Sequence, residues 1–357
     1  MGKRLTFDSS TLIDLVKSFE TMYSKNSLYD YANYITLSCE NSKLMFEMCI
    51  ILDGASTDSM VRMWETMEGL DNFDPLTVDF TAFKNIVKEI KDTTMTLDVS
   101  DKAITIETAR MTHHLELSTV KIPAQISNKL DYLVENSAIR AVDFNLLKLY
   151  NNMSMIGETL TLNTLYAHLY GIMHTPEFMA ATTGFSMAVM RGGVLNESFL
   201  FPKHSLKILK LIPKLGAKYY VHDKRIYIQG QGFHCYIGEW ADASKYPVDA
   251  LTRVIDSELT PVNSGVEVLE AMNSCHKFSD VAYVYLGLGY ATTKAGTHKV
   301  SFEPTPAFGE GRILIHKDVL IGLGKIEHLS ASQERSMFKA INEERIFVFL
   351  GMRDEDE

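Results

Sequence analysis

Four lysines, Lys203, Lys207, Lys210 and Lys214, fall at i, i+4, i+7 and i+11. On a helix that spacing gathers four ammonium groups on one stripe and leaves Leu206, Ile208, Leu209 and Ile212 to seat the helix on a sheet. Earlier in the chain Lys84, Lys88 and Lys91 take i, i+4 and i+7, with Phe83, Ile86, Val87 and Ile90 as the apolar face. A third, weaker set has Lys317 and Lys325, with His328 beyond. The chemistry on offer is attraction for phosphates. Lysine is a hydrated point charge without the fork by which arginine reads guanine edges, so such a track binds without sequence preference and permits sliding. One helix of this kind, taken alone, is an ordinary solvated face. Its recurrence in a chain of net charge −10 indicates positive charge concentrated on one surface and negative charge placed elsewhere.

Residue patterns for catalysis are missing. Gly230-Gln-Gly232, Gly287-Leu-Gly289 and Gly322-Leu-Gly324-Lys325 are fragments of phosphate-loop patterns and read as turns. No H-E-x-x-H or G-x-S-x-G occurs. His113 and His114 are neighbours in a predicted strand, pointing to opposite faces, which argues against a shared metal. The acidic pairs Asp71/Asp74 and Asp98/Asp101 read as loop and turn residues. Cys39, Cys49, Cys235 and Cys275 lack any C-x-x-C spacing and read as reduced, buried small residues. The aromatic residues are scattered as cores need and form no base-stacking platform. The expectation is therefore a non-enzymatic protein without metal or cofactor. With no signal-like leader and no long apolar run, it is expected to be cytoplasmic and free of membrane contact.

The elements that would position the lysines repeat. Val99 to Ile106, Val221 to Ile228 and Ile341 to Val348 each read as strand, charged tight turn and strand. Their matching isoleucines are 104, 226 and 346, giving intervals of 122 and 120 residues. An amphipathic segment precedes each hairpin: Phe80 to Asp92, Pro202 to Leu215 and His316 to Leu329. A second helix opens each unit after a capping Asp or Asn: Asp8 before Ser9 to Tyr23, Asp143 before Phe144 to Met153, and Asn263 before Ser264 to Cys275. Tyr34 to Ser38, Leu44 to Leu52, Leu160 to His174, Phe178 to Met190 and Val281 to Leu288 read as strands. The pattern predicts an α+β fold of three repeated domains, each with two helices packed on antiparallel sheets. The boundaries place the domains at 1–125, 126–256 and 257–357, ending in a short acidic tail, Asp354 to Glu357.

Several stretches resemble the bacterial-type sliding clamp, the β subunit of the replicative DNA polymerase, in a diverged phage or plasmid version. Ala181 to Val189 is similar to the family's A-T-D-G-H-R-L-A-V strand. Phe201-Pro202-Lys203 resembles the segment that follows it, and Lys245-Tyr246-Pro247 through Ile255 the F-P-D-Y-x-x-V-I stretch. Val348 to Arg353 sits where the family ends in a V-x-M-P-M-R-like strand. The resemblance spans essentially the whole chain and rests on order and spacing. It implies clamp domains forming half of a closed ring, completed by a head-to-tail homodimer around duplex DNA. It also implies a processivity role, with polymerase and clamp loader held through short peptides. Carried over by motif position, the peptide pocket comprises Leu169, Thr182, Gly184, Met187, Pro247, Arg253, Val254, Val348 and Met352, and the dimer contact involves Leu115 and Leu117. Without the resemblance, Met187, Val254 and Val348 are ordinary core. Phe185 and Ser186 replace a His-Arg pair, Thr183 an acid and Gly351 a proline, so the partner peptide is expected to differ. The alternative is a monomeric, repeat-built peptide- or ligand-binding protein whose lysines are plain solvated faces.

Overall fold

The computed structural model describes residues 3–23, 25, 29–51, 58–100, 102–130, 141–159, 169–240, 243–332, 334 and 336–352. Asp101, the stretch 160–168, Arg353 and the acidic tail lie outside the described residues. The chain forms two compact units, one of Met1–Tyr150 with His204–Ala241 and one of Asn151–Lys203 with Asp242–Glu357.

One element order recurs three times. The first copy runs β1 (Lys3–Asp8), α1 (Ser9–Met22), β2 (Tyr34–Glu40), β3 (Lys43–Ile50), β4 (Ser59–Thr66), β5 (Phe73–Asp79), α2 (Phe80–Glu89), β6 (Thr94–Val99), β7 (Ala103–Glu107) and β8 (Thr112–Glu116). The second runs β9 (Val142–Asp143), α3 (Leu146–Gly157), β10 (Gly171–His174), β11 (Phe178–Thr182), β12 (Ser186–Arg191), β13 (Phe199–Pro202), α4 (Ser205–Leu211), β14 (Lys218–His222), β15 (Arg225–Gly230) and β16 (Phe233–Gly238). After α5 (Val248–Asp256) come β17 (Thr260–Pro261), α6 (Gly265–His276), β18 (Val281–Tyr285), β19 (Tyr290–Thr293), β20 (Lys299–Ser301), β21 (Ile313–His316), a 3-10 turn at Lys317–Leu320, β22 (His328–Ser332), β23 (Met337–Ile341) and β24 (Arg345–Leu350).

All sheets are antiparallel, as the α+β reading required. The first unit holds a four-stranded sheet, β1-β6-β7-β8, and an eight-stranded one, β5-β2-β3-β4-β16-β15-β14-β9. The second holds the eight-stranded β13-β10-β11-β12-β24-β23-β22-β17 and the four-stranded β20-β19-β18-β21. The middle copy thus gives four strands to each eight-stranded sheet. Helices supply the apolar filling: Leu12, Val16, Phe19 and Met22 of α1 and Phe80, Phe83 and Val87 of α2 are buried in the first unit. Val268, Leu269, Met272 and Cys275 of α6 are buried in the second.

The third hairpin of the sequence repeat is corrected by one strand. By position in the sheets, β6–β7 matches β14–β15 and then β22–β23, whereas Ile341 to Val348 forms β23–β24. The equivalent strands begin at Ala103, Arg225 and Met337, so the intervals are 122 and 112 residues. Successive hairpins of a meander share the same strand–turn–strand text, which is why the slip was invisible in sequence.

All three lysine-bearing helices are shorter than expected: α2 stops at Glu89, with Ile90 extended at ψ 118°, so Lys91 lies past its end. Pro202 belongs to β13, and Ile212, immediately before Pro213, is extended at ψ 146°, so α4 stops at Leu211. In the third copy only a 3-10 turn forms, because Gly322 and Gly324 take φ +80° and +66°, outside the helical basin. Two caps also differ. Asp8 caps α1 as expected, but Asn145 caps α3 by accepting from the Lys148 N–H at 2.8 Å, and Ser264, at φ +46° and without a side-chain cap bond, precedes α6.

Candidate nucleic-acid interface and peptide groove

In the first unit α1 packs against both α2 and α4, which brings Lys84 and Lys88 of α2 and Lys207 and Lys210 of α4 onto neighbouring helices. Their ammonium groups are not equivalent. Lys88 Nζ lies 2.5 Å and Lys84 Nζ 3.7 Å from Glu20 Oε1 of α1, so this carboxylate offsets both, and they hold it below the usual carboxylate range. Lys214, expected on the α4 stripe, lies past the helix end and donates to the Leu209 and Ile212 carbonyls, the latter at 2.8 Å. That is a helix C-terminal cap, and burial pushes its ammonium down to about 8. Lys91, Lys207 and Lys210 are exposed and carry no ion pair among the described residues.

In the second unit Lys203 is half-buried, its Nζ 5.7 Å from the Tyr170 ring, and burial lowers its pKa. Lys317 pairs with Asp280 at 2.5 Å, which raises it, and Lys325 is exposed. The nine lysines therefore divide: among the described residues Lys91, Lys207, Lys210 and Lys325 have no ion pair and present their charge to solvent, and the rest are neutralised or occupied.

The second unit also holds all nine residues expected to line a peptide pocket. Strand register puts Thr182 opposite Met187, Met187 opposite Val348 and Val348 opposite Lys339, one row across four strands on a single sheet face. Lys339 Nζ donates to the carbonyls of Ile255 and Ser257, the latter at 3.0 Å. The face is thus the one over which α5 lies. Tyr246 ties the start of this strap down, its hydroxyl donating to Ala180 O at 3.3 Å. Pro247 precedes α5, Val254 is half-buried on it, and exposed Arg253 donates to its own helix at Asp249 O. Leu169 is buried beneath the β11–β12 turn, its Cδ1 3.5 Å from where a Cβ on Gly184 would stand. Met352 is placed differently: its N–H donates to Leu314 O of β21 at 2.7 Å and its side chain is half-exposed.

Sequence reasoning missed Lys339. Its signal was a lone lysine inside the apolar run Met337-Phe338-Lys339-Ala340-Ile341. Its ammonium is depressed by burial and finds carbonyls instead of a carboxylate.

The corresponding face in the first unit has a polar floor. Register aligns Thr77, Thr36, Glu47, Arg62 and His234 across five strands, with Arg62 paired to Glu47. A cavity of about 800 Å³ opens there. Its strap, helical over 124–130, is held by Lys129 on Asp58 at 2.8 Å and by Ile126 and Leu130 in an apolar cluster.

The remaining expected features stand apart from these faces. Leu115 lies on the edge strand β8 with its side chain buried, and the Leu117 N–H donates to Lys102 O. His114 bonds Thr105 and His113 faces Glu89, so the two imidazoles do not converge. No group of His, Cys, Asp and Glu suited to a metal occurs among the described residues, all four cysteines are buried and free, and no described helix is long and apolar enough to cross a membrane.

No family model matches the sequence, and no curated protein does. Solved structures do match. The Helicobacter pylori β clamp bound to a DNA ligase peptide superposes with TM-score 0.74 at 14% identity, covering 98% of this chain and 100% of that one. The β subunit of DNA polymerase III from Thermotoga maritima gives 0.73 at 14% identity, over 99% and 100%. The β subunit from Pseudomonas aeruginosa gives 0.73 at 13% identity, over 98% and 100%. Over essentially its entire length, and at a sequence distance that fits a diverged version, this chain has the fold of the bacterial DNA polymerase III β sliding clamps.

Proposed function

We propose that the protein is a non-enzymatic DNA polymerase processivity factor, a homodimeric ring that slides on duplex DNA and tethers polymerase and clamp loader through short peptides. The observation that carries this reading is the whole-chain likeness to β clamps, in which no part of either chain of appreciable length is left over. Repetition supports the closure. In each eight-stranded sheet the fourth strand of one copy's inner set, β4 or β12, pairs with the last strand of the next copy, β16 or β24. Among the described residues the equivalents without such a partner are β20 and β8, the outer strands of the two four-stranded sheets. Pairing β8 of one protomer with β20 of its partner repeats the rule twice and closes two chains head to tail. With domains of 1–125, 126–256 and 257–357, the second boundary falls between α5 and β17, whereas the first cuts the helix at 124–130 that straps the first unit.

DNA would be met through unpaired lysines, Lys91, Lys207 and Lys210 foremost, without sequence preference. Peptides would enter the groove bounded by the Thr182–Met187–Val348 row and α5, a reading supported by the Helicobacter clamp solved with a ligase peptide. The deciding experiment loads the protein onto nicked circular duplex and then linearises it. A clamp stays on the circle and runs off the linear product. Equal dissociation from both, with a solution mass of one 40.3 kDa chain, overturns the ring and leaves a monomeric peptide-binding protein.

A further inference from the structure

The sheet face under the strap of the first unit is left open, and charged groups line it. Its cavity of about 800 Å³ lies between β2 to β5 and the strap residues Lys121, Ile122 and Ser127. Ligand pockets span about 300–1,000 Å³. The strap is fastened, so the space is preformed: Asp58 accepts from Lys129 at 2.8 Å and from the Tyr236 hydroxyl at 2.7 Å, and Ile126 and Leu130 are buried. In the floor Arg62 Nε donates to Glu47 Oε1, with the two side chains only 15% and 13% exposed. A pair this far from water costs stability that an apolar pair would not. The fold does not demand it, since the corresponding strands of the second unit, β11, β12 and β24, align Thr182, Met187 and Val348. Two residues along β4, half-buried Trp64 points to the same face as Arg62. Its ring meets that of His234 edge-on at 4.7 Å, and Lys43 Nζ lies 5.6 Å from its centroid. Met45, opposite Trp64, lines the cavity. The rim is acidic. Of the two lining cations Arg62 is held by Glu47, which leaves Lys121 against Glu40 and Asp74, both exposed and without an ion pair among the described residues.

We propose that this cavity is a docking site for extended peptide segments that carry a basic side chain beside an apolar one. The cation meets Glu40 and Asp74, and the apolar side chain packs on Met45 and Trp64. A backbone amide suits the floor, because it offers an N–H to a carboxylate and a carbonyl to a guanidinium. Nucleic acid is disfavoured, since the rim carboxylates repel phosphates. The site lies in the other unit from the row of Thr182, Met187 and Val348 and takes a ligand of different chemistry.

The test pans a phage-displayed library of random nonapeptides on the full-length protein, after counter-selection on Ser127→Phe, which fills the cavity from the strap and removes peptides bound elsewhere. Survivors should share a lysine or arginine at one position, and the best of them, as a synthetic peptide, should shift the emission of Trp64 in wild type and not in Trp64→Phe. Glu40→Lys with Asp74→Lys alters only exposed rim residues. It should weaken that peptide at least about tenfold by anisotropy and favour its lysine-to-glutamate version. No survivors, with Ser127→Phe folded by circular dichroism, overturns the site. Survivors without a shared basic residue, or indifferent to the double reversal, overturn the ligand assigned to it.

Discussion

Lys207 and Lys210 point unpaired ammonium groups into solvent, whereas Lys214 directs its own to the carbonyls at the end of α4. Residues of one sequence stripe therefore have different fates on mutation. Lys207→Glu with Lys210→Glu should reduce duplex affinity and lower the slope of log affinity against log salt by about 0.9 for each phosphate no longer neutralised, measured by fluorescence anisotropy across a salt series. Lys214→Ala should leave that slope unchanged and lower the urea midpoint. A different residue-scale effect concerns acid. His174 and His204 are buried with pKa values brought down to about 4 by burial. His174 stays neutral, its Nε2 accepting from the N–H groups of Val194 and Leu195. In the unfolded chain both rings take up a proton near pH 6.5, so the stability they contribute is complete above that value and is lost as pH falls toward 4. Each should cost about 2 kcal/mol between pH 7.5 and 5, read from urea unfolding at the two values. A stability that does not change over that range would show that one or both rings are not held neutral.

At the scale of elements, the two straps are fastened by lysines in opposite senses. Lys129 sits on its strap and reaches Asp58, while Lys339 sits in the sheet and reaches the strap carbonyls of Ile255 and Ser257. Lys339→Met keeps the apolar bulk and removes the donor, leaving those carbonyls to water or to nothing. It should destabilise the second unit by about 1 to 3 kcal/mol and raise hydrogen exchange at 255–257 and along the end of α5. Unchanged exchange there would show that Lys339 does not hold the strap. The limits of sequence reading are clearest at this scale. Apolar periodicity and Asp8 marked α1 to within a residue, since local propensity and cap agree there. The length of α4 was set by two prolines that the lysine spacing concealed, and the third helix was cancelled by Gly322 and Gly324. Val348 was expected to share a site with Thr182 and Met187 only by resemblance, because its juxtaposition depends on strand register between residues far apart in the chain. Lys339 was passed over for the same reason.

For the whole molecule, the outer strands β8 and β20 are where the dimer reading stands or falls. Leu115 is buried within its own protomer, so truncating it tests stability more than association. His114→Pro is a cleaner probe. Alternation along β8 from the inward N–H of Leu117 makes the N–H of His114 one that faces away from β7. Removing it should convert a dimer to a 40.3 kDa monomer in sedimentation analysis while far-ultraviolet dichroism is unchanged. A variant that remains a dimer would place the contact elsewhere.

The pairing of β4 with β16, which sets Met60 opposite Tyr236, also constrains synthesis. On a ribosome adding about 5–20 residues per second, the edge of β4 waits roughly 10 to 30 s for its neighbour to be made. β12 then waits similarly for β24. During each interval the nascent chain displays an open strand edge, a template for any other extended chain nearby. The same joints that make the finished sheets continuous make the unfinished chain a client for chaperones, and slowing translation between β4 and β16 should lower the soluble yield more than slowing it after β24.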